Sequence, residues 1–595
     1  MRQRLIYLFK FFLITVVLFI IAKIAFMLVN HEGHMFTARD MLDVITHGLS
    51  LDLSTALYFL IIPFLATVVS IWWNGKVLTK ILHAYYLVVA IMLKLAFVTD
   101  TSLYPYWGFK LDSTCLQYLD SPAEMSASVS GLYIAIHLIV IIVGVILVYN
   151  LYKHIPLWQK APAHKWRAIA VSLLLIPIFI IGIRGGLDES TTNTGQVYYS
   201  QNQFLNHSAV NPVFNFFDSF SQTVGEIVEY DFYDETECEA LLHDCYTTES
   251  ILTDTLLTTQ RPNVIIILME SASEVFAKAM PQLNSLKREG ISFSRCYGNT
   301  YRTDRGTVST LSGYPSFPTM SVMKMPKKAG ILPSIARTLQ GEGYATSYLY
   351  GGDINFTDMR GYLIATGWEK LHWKADYTQE EQNTAKWGVR DDITFQTLYD
   401  QICASDTTRR FLMGYSTLSS HEPWDVPLRH LPDEKMNAFY YLDQCIGEFT
   451  AKLKATPYWK DLLIILLPDH GINYQDIDET RQERNHIPML WIGGAVKSPR
   501  VISQYCNQTD LAATLLGQMS LPHDAFTFSR DILSPNYTRQ FAFHCYNNGF
   551  SIADSTGLTV YDLTSQKTVK GQSADAVRLG KAILQTTSKD LKEMK

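Results

Sequence analysis

Cysteine is scarce in this chain and shows no metal or redox spacing. Eight cysteines are spread over 595 residues without a Cys-x-x-Cys pair, which excludes a zinc ribbon and a thioredoxin-like motif. Charge is thin as well: 18% of residues are Asp, Glu, Lys or Arg, against 48% apolar. A net charge of −6 leaves no electrostatic footprint for nucleic acid, so no nucleic-acid partner is expected. Repeats and low-complexity tracts are absent. So are the paired broken apolar segments of transporters. Cys238 and Cys245 lie close together. A disulfide outside the cytosol and two free thiols are both open readings of that pair.

What the chain does have is apolar length, concentrated in its first third. A helix needs roughly 20 apolar residues to cross a bilayer. Five stretches are read as spans: Leu5 to Val29, Leu51 to Trp73, Leu78 to Val98, Leu132 to Tyr149 and Ile169 to Ile183. The first is longer than a signal-peptide core and no small-residue cleavage site follows it, so it is expected to be retained. Lys and Arg gather before the first span (Arg2, Arg4, Lys10), between the second and third (Lys76, Lys80) and between the fourth and fifth (Lys153, Lys160, Lys165, Arg167). That asymmetry predicts a cytoplasmic amino terminus, with everything beyond residue 185 outside the cytoplasm. Lys94 and His137 are expected near the interface or facing the bundle. The predicted organisation is a five-helix transmembrane domain (1–185), a polar linker packed on the catalytic domain (186–260), a catalytic domain (261–540) and a C-terminal extension packed on it (541–595).

Beyond Arg261 the pattern changes. Asn263 to Met269 is a short apolar run that ends at Glu270, and Leu462 to Leu467 leads into Pro468-Asp469-His470-Gly471. Both read as buried parallel strands, as do Phe411 to Ser416 and Met489 to Gly493. Helix-like stretches between them, such as Leu332 to Leu339 and Asp391 to Ile402, predict an α/β domain with a mostly parallel central sheet. Ligands of such folds sit beyond the carboxyl ends of the strands, where Glu270 and Asp469-His470 fall. Two carboxylates and an imidazole suit a divalent ion such as zinc or manganese. The hydroxyl-rich segment from Gly298 to Thr307 offers a nucleophile, with Thr300, Thr303 and Thr307 as rivals. A metal would activate such a hydroxyl, and a helix starting there would help hold phosphate.

On these motifs the chain resembles the lipoteichoic acid synthase family, a branch of the alkaline phosphatase and sulfatase superfamily. The resemblance covers nearly the whole chain. It implies five membrane helices, a linker and a sulfatase-like extracytoplasmic domain on a bacterial cytoplasmic membrane. It implies one divalent metal, manganese first and zinc second, held by Glu270, Thr303, Asp469 and His470. Thr303 would be the nucleophile of a phospho-threonine intermediate. Ser420-His421-Glu422-Pro423 matches the family's Ser/Asn-His-x-Pro turn, so His421 would contact the phosphate or protonate the leaving group. His486-Ile487-Pro488 is similar to a motif of phosphoethanolamine transferases and places His486 near the metal or the phosphate. One segment departs from the family. Where glycerol-phosphate-transferring members carry a Phe-Trp-Asn-Arg-like run, this chain reads Asn355-Phe356-Thr357-Asp358-Met359-Arg360. Phe356 could stand for the Trp, and Arg360 lies one helical turn further on. Asn355, Trp424, Arg302 and Arg305 complete the candidate substrate contacts.

The activity implied is a transferase. It would move phosphoglycerol, or a related phospho-alcohol, from phosphatidylglycerol or phosphatidylethanolamine to a glycan or lipid acceptor of the envelope. The competing readings are a phosphodiesterase and a non-enzymatic scaffold. Sulfatase chemistry needs a Cys/Ser-x-Pro-x-Arg context, which Thr303-Asp304-Arg305-Gly306 does not provide. No second metal-ligand set of the Asp-x-x-x-His kind was found.

Overall fold

The computed structural model describes residues 1–32, 35–107, 109–113, 115–116, 131–223, 227–246, 253–406, 408–475, 477, 481–547 and 549–594. The chain divides into two compact units, Met1–Val224 and Gly225–Lys595.

The first unit holds five helices long and apolar enough to cross a membrane: α1 (Arg2–Val29), α2 (Ala38–Val69), α3 (Lys76–Trp107), α4 (Gly131–Lys153) and α5 (Lys165–Arg184). α2 begins 13 residues before the expected Leu51. Thr37 caps it and Asp40 returns the bond, a capping box that carries the helix through a polar first stretch. Tyr7, Phe11, Phe19, Phe64, Tyr86 and Tyr152 form the apolar interior. Polar groups are buried there in pairs. Lys23 Nζ lies 2.7 Å from Asp52 Oδ2 and 2.8 Å from the Gly48 carbonyl. Asn211 Nδ2 donates to the other Asp52 oxygen at 2.8 Å. Gly48 is required, since a Cβ would stand 2.3 Å from the Ala209 carbonyl oxygen. Lys94 lies over Gly144 and near the Phe97 ring, while His137 bonds the Tyr133 carbonyl.

The expected linker is divided. Residues 186–224 belong to the first unit and include α6 (Gln203–Ala209) and α7 (Pro212–Thr223). Asn206, His207, Ser208 and Asn211 in it are buried; each polar side chain finds a partner within that unit, and this is why the segment is not a solvated spacer. Only the stretch from Gly225 onward joins the second unit. Cys238 and Cys245 are buried there as free thiols.

The second unit is built on an eight-stranded sheet of order β5-β4-β6-β1-β7-β8-β2-β9. The strands are β1 (Asn263–Met269), β2 (Ile291–Phe293), β4 (Ala345–Tyr350), β5 (Lys370–Trp373), β6 (Phe411–Ser416), β7 (Leu462–Pro468), β8 (Met489–Ile492) and β9 (Arg500–Ile502). Only β8 runs against its neighbours. The pleat alternates side chains between faces. Val264, Ile266 and Leu268 of β1 enter one core, and Ile265, Ile267 and Met269 enter the other. β7 divides likewise, with Leu463, Ile465 and Leu467 on the first face and Leu462, Ile464 and Leu466 on the second. This double burial explains the unbroken apolar runs, and each such side chain contributes roughly 1.5–3 kcal/mol.

Helix α8 (Thr303–Ser312) supplies Val308 and Leu311 to the first face. Helices α9 (Asp391–Cys403) and α10 (Glu434–Lys454) cover the second. A short parallel pair, β3 (Cys296–Tyr297) with β10 (Cys506–Asn507), leads into α8. The antiparallel strands β11 (Ala542–Tyr546), β12 (Gly549–Asp554), β13 (Gly557–Asp562) and β14 (Lys567–Lys570), with helix α11 (Ala574–Glu593), share the first core through Phe543, Phe550, Ile552 and Ile583.

Candidate metal centre

β1 and β7 are paired in parallel up to Met269 and Pro468, so the residues that follow each strand emerge side by side. Glu270, Asp469 and His470 are all buried, and one ligand-type atom from each lies within 4.8 Å of the others. His470 Nε2 is 3.7 Å from Glu270 Oε1 and 3.6 Å from Asp469 Oδ2. The Ser271 hydroxyl donates to Glu270 Oε1 at 2.7 Å, and its amide donates to Asp469 Oδ1 at 2.9 Å. Ser271 holds φ at 58° to do so, a left-handed conformation that a non-glycine residue keeps only when its surroundings enforce it.

Asp469 Oδ2 is buried and has no hydrogen-bond partner among the described residues. A buried carboxylate oxygen left bare is unfavourable and fits a cation. His470 fits the same role. Its Nδ1 lies 3.1 Å from the Gly471 carbonyl; a carbonyl can only accept, so Nδ1 carries the proton and Nε2 offers its lone pair to the site. Burial, reinforced by the nearby Asp469, pushes the Glu270 carboxyl up to about 8. These residues suit a single divalent ion.

Thr303 opens α8. Its Oγ1 stands 3.4 Å from Glu270 Oε2 and 3.3 Å from His470 Nε2. The preceding N-cap residue, Arg302, gives no side-chain cap, so the first amides of a ten-residue helix point outward beside this hydroxyl. Thr300 and Thr307, its sequence rivals, are fully buried. α8 approaches very closely because residue 306 is glycine: a Cβ there would lie 2.0 Å from the Asp469 carbonyl oxygen.

Other predicted residues divide by their partners. Arg302 is exposed beside Thr303. Arg305 is turned inward, bonding Tyr301 Oη at 2.8 Å and the carbonyls of Phe317 and Pro318 at 3.0 and 2.8 Å. Arg360 Nε donates to Asn355 Oδ1 at 2.7 Å and its guanidinium lies over Trp373. Phe356 is 42% exposed. Trp424 stacks under Lys435. His486 packs on Tyr297 with Nε2 2.9 Å from the Ser294 carbonyl. His421 lies in the loop after β6, with Nδ1 2.7 Å from the Glu422 carbonyl.

Several positioning residues escaped the sequence reading. Gln508 is fully buried; its Nε2 is 2.9 Å from the Asp469 carbonyl and 3.1 Å from that of Gly306, and its Oε1 accepts from the Asn299 amide at 2.7 Å. It ties β7, α8 and the nucleophile loop together. His544 on β11 is buried with Nδ1 2.8 Å from the Gly298 carbonyl. Burial first, then Arg484, pushes its pKa down to about 3, so it stays neutral. Thr417 accepts from the Glu270 amide at 2.9 Å, and Ser420 donates to its carbonyl at 2.6 Å.

Known proteins share the fold of the second unit. A sulfatase family model matches residues 262–521. Phosphoglycerol transferase I of Xanthomonas axonopodis pv. citri is 24% identical over 313 residues, covering 46% of this chain and 43% of that protein. The Salmonella choleraesuis protein of the same name is 25% identical over 271 residues, covering 41% and 35%. The chain thus spans less than half the length of the curated relatives it matches. Among solved structures, an alkaline phosphatase superfamily protein of Vibrio parahaemolyticus superposes with a TM-score of 0.53 at 24% identity, covering 61% of this chain and 97% of that one. The lipoteichoic acid synthase LtaP of Listeria monocytogenes gives 0.50 at 17% identity, covering 60% and 98%.

Proposed function

From the sulfatase family match over residues 262–521 and the likeness to lipoteichoic acid synthases, we propose that this chain transfers phosphoglycerol, or a related phospho-alcohol, from a membrane phospholipid to an envelope acceptor through phospho-Thr303. One observation carries this: the Thr303 hydroxyl lies within 3.4 Å of both Glu270 and His470 at an uncapped helix amino terminus. The relatives from Xanthomonas and Salmonella are phosphoglycerol transferases, which supports the transferred group.

Glu270, Asp469, His470 and Thr303 would hold one divalent ion, manganese or zinc. Such an ion acts as a Lewis acid that lowers the pKa of a hydroxyl and offsets phosphate charge. The protein's own residues do the rest. The first amides of α8 and the exposed Arg302 receive the phosphodiester. The Thr303 oxygen, its proton lost to solvent, attacks phosphorus; the bond to the diacylglycerol oxygen breaks, and His421 gives that oxygen a proton. An acceptor hydroxyl then attacks phospho-Thr303 and returns its proton to His421; the bond to the Thr303 oxygen breaks, and that oxygen takes a proton back from solvent. Arg305 and Arg360 brace the surrounding loops. Five apolar helices suit a donor that resides in the bilayer, with the catalytic unit on the extracytoplasmic side.

The test is intact-mass spectrometry of the detergent-solubilised chain after incubation with phosphatidylglycerol or phosphatidylethanolamine and manganese or zinc. A glycerol-phosphate adduct on the Thr303 peptide is expected, absent in Thr303→Ala although that variant folds. A phosphoethanolamine adduct would instead change the donor. No adduct from either lipid, or an adduct that survives Thr303→Ala, would overturn the mechanism.

A further inference from the structure

Trp387 has no part in the chemistry just described, yet it is built against His421 from two directions. Its indole Nε1 donates to the Glu422 carbonyl at 2.7 Å. The same carbonyl accepts from His421 Nδ1 at 2.7 Å. A carbonyl oxygen has two lone pairs, and here one serves the indole and the other the imidazole. The Trp387 ring also lies 4.7 Å from the His421 ring at 57°. The Phe356 ring lies edge-on to the indole at 5.8 Å.

The turn that carries Trp387 is held rigidly. Ala385 and Gly388 exchange backbone hydrogen bonds of 2.9 and 3.2 Å, and the Val389 amide donates to the Gly351 carbonyl at 2.9 Å. Gly388 has φ at 144°, and a Cβ there would meet the Gly351 oxygen at 2.2 Å. Glycine at 388 therefore lets the turn sit against the end of β4 and deliver the indole to the loop after β6. An imidazole bonded at Nδ1 and held in tilted contact with an indole has one orientation and one tautomer. Nε2 is left as the nitrogen that can exchange a proton with substrate.

We propose that Trp387 is a positioning residue for His421: together with the Glu422 carbonyl it fixes the ring so that Nε2 faces the leaving oxygen. This rests on His421 acting as the acid in the function proposed above. A residue that only packs would slow every substrate alike. One that acts through the acid matters only where the leaving group needs a proton.

The experiment compares two donors on the full chain in detergent. One is phosphatidylglycerol, whose diacylglycerol oxygen must be protonated. The other is a p-nitrophenyl phosphodiester of glycerol, whose leaving group departs as a stable anion. Trp387→Phe keeps an aromatic ring and removes the N–H. We expect it to slow the formation of phospho-Thr303 from the lipid, followed in a single turnover, by about 10-fold or more, and to leave the first-turnover burst of p-nitrophenolate within about 2-fold of wild type. His421→Gln should show the same selectivity more strongly, and Lys386→Ala, on the exposed tip of the same turn, should alter neither rate. Equal loss on both donors in Trp387→Phe, or no loss on either, overturns the inference while the function stands. Equal loss in His421→Gln removes the acid assignment and the inference with it. A wild-type chain inactive on both donors overturns the function itself.

Discussion

Glu270 shows how much the site asks of one side chain. An unfolded glutamate titrates near 4.5, whereas burial and Asp469 hold this one at about 8. Between those values the metal-free folded chain keeps a proton that the unfolded chain gives up. The stability linked to this group is therefore fully present below about 4.5 and is lost as pH rises through about 8. With chelator present, the melting temperature should fall between pH 5 and 8, more steeply in wild type than in Glu270→Gln. Saturating manganese or zinc should remove the fall, because the cation takes the proton's place. Asp469→Asn should lower bound metal, measured by elemental mass spectrometry of the purified chain. Glu270 and Asp469-His470 were legible because each follows an apolar strand. Gln508 and His544 were not, because nothing local separates a buried amide that bridges three segments from an ordinary polar residue.

At the scale of elements, the seat of α8 on the end of β7 is decisive. Gly306→Ala would place a methyl 2.0 Å from the Asp469 carbonyl, against backbone that cannot turn aside. Overpacking of this kind costs about 1–3 kcal/mol. It also moves Thr303 off the cluster, so activity should drop by about 100-fold, read as turnover alongside the melting temperature. Gly341→Ala, where an added Cβ meets nothing within 4 Å, should instead leave activity intact and stabilise by about 0.4–1 kcal/mol. The strands were readable for a plain reason: double burial writes itself as unbroken Val, Ile and Leu. The start of α2 and the roles of α6 and α7 were not. These segments mix polar and apolar residues, and what holds them is partners such as Asp52 for Asn211, far away in the sequence.

For the whole molecule, the cores tell how it is partitioned. The interior of the first unit draws on residues up to Val213, and both faces of the catalytic sheet draw on residues from Cys238 onward. A fragment of residues 225–595 should therefore fold alone, with a cooperative melt and bound metal, and cleave a water-soluble phosphodiester while failing on lipid in vesicles. Loss of cooperative melting in that fragment would show that the catalytic unit depends on the helices. The buried triad of Lys23, Asp52 and Asn211 sets a timetable for biogenesis. An uncompensated lysine in a bilayer costs roughly 2.5–3.5 kcal/mol, so α1 is poorly disposed to settle in lipid until α2 arrives with its carboxylate. Even then one oxygen of Asp52 must wait for a side-chain amide made 159 residues later. The helical unit reaches its final form only after synthesis has run past its last span, so the ribosome is already building the catalytic unit when the membrane portion closes.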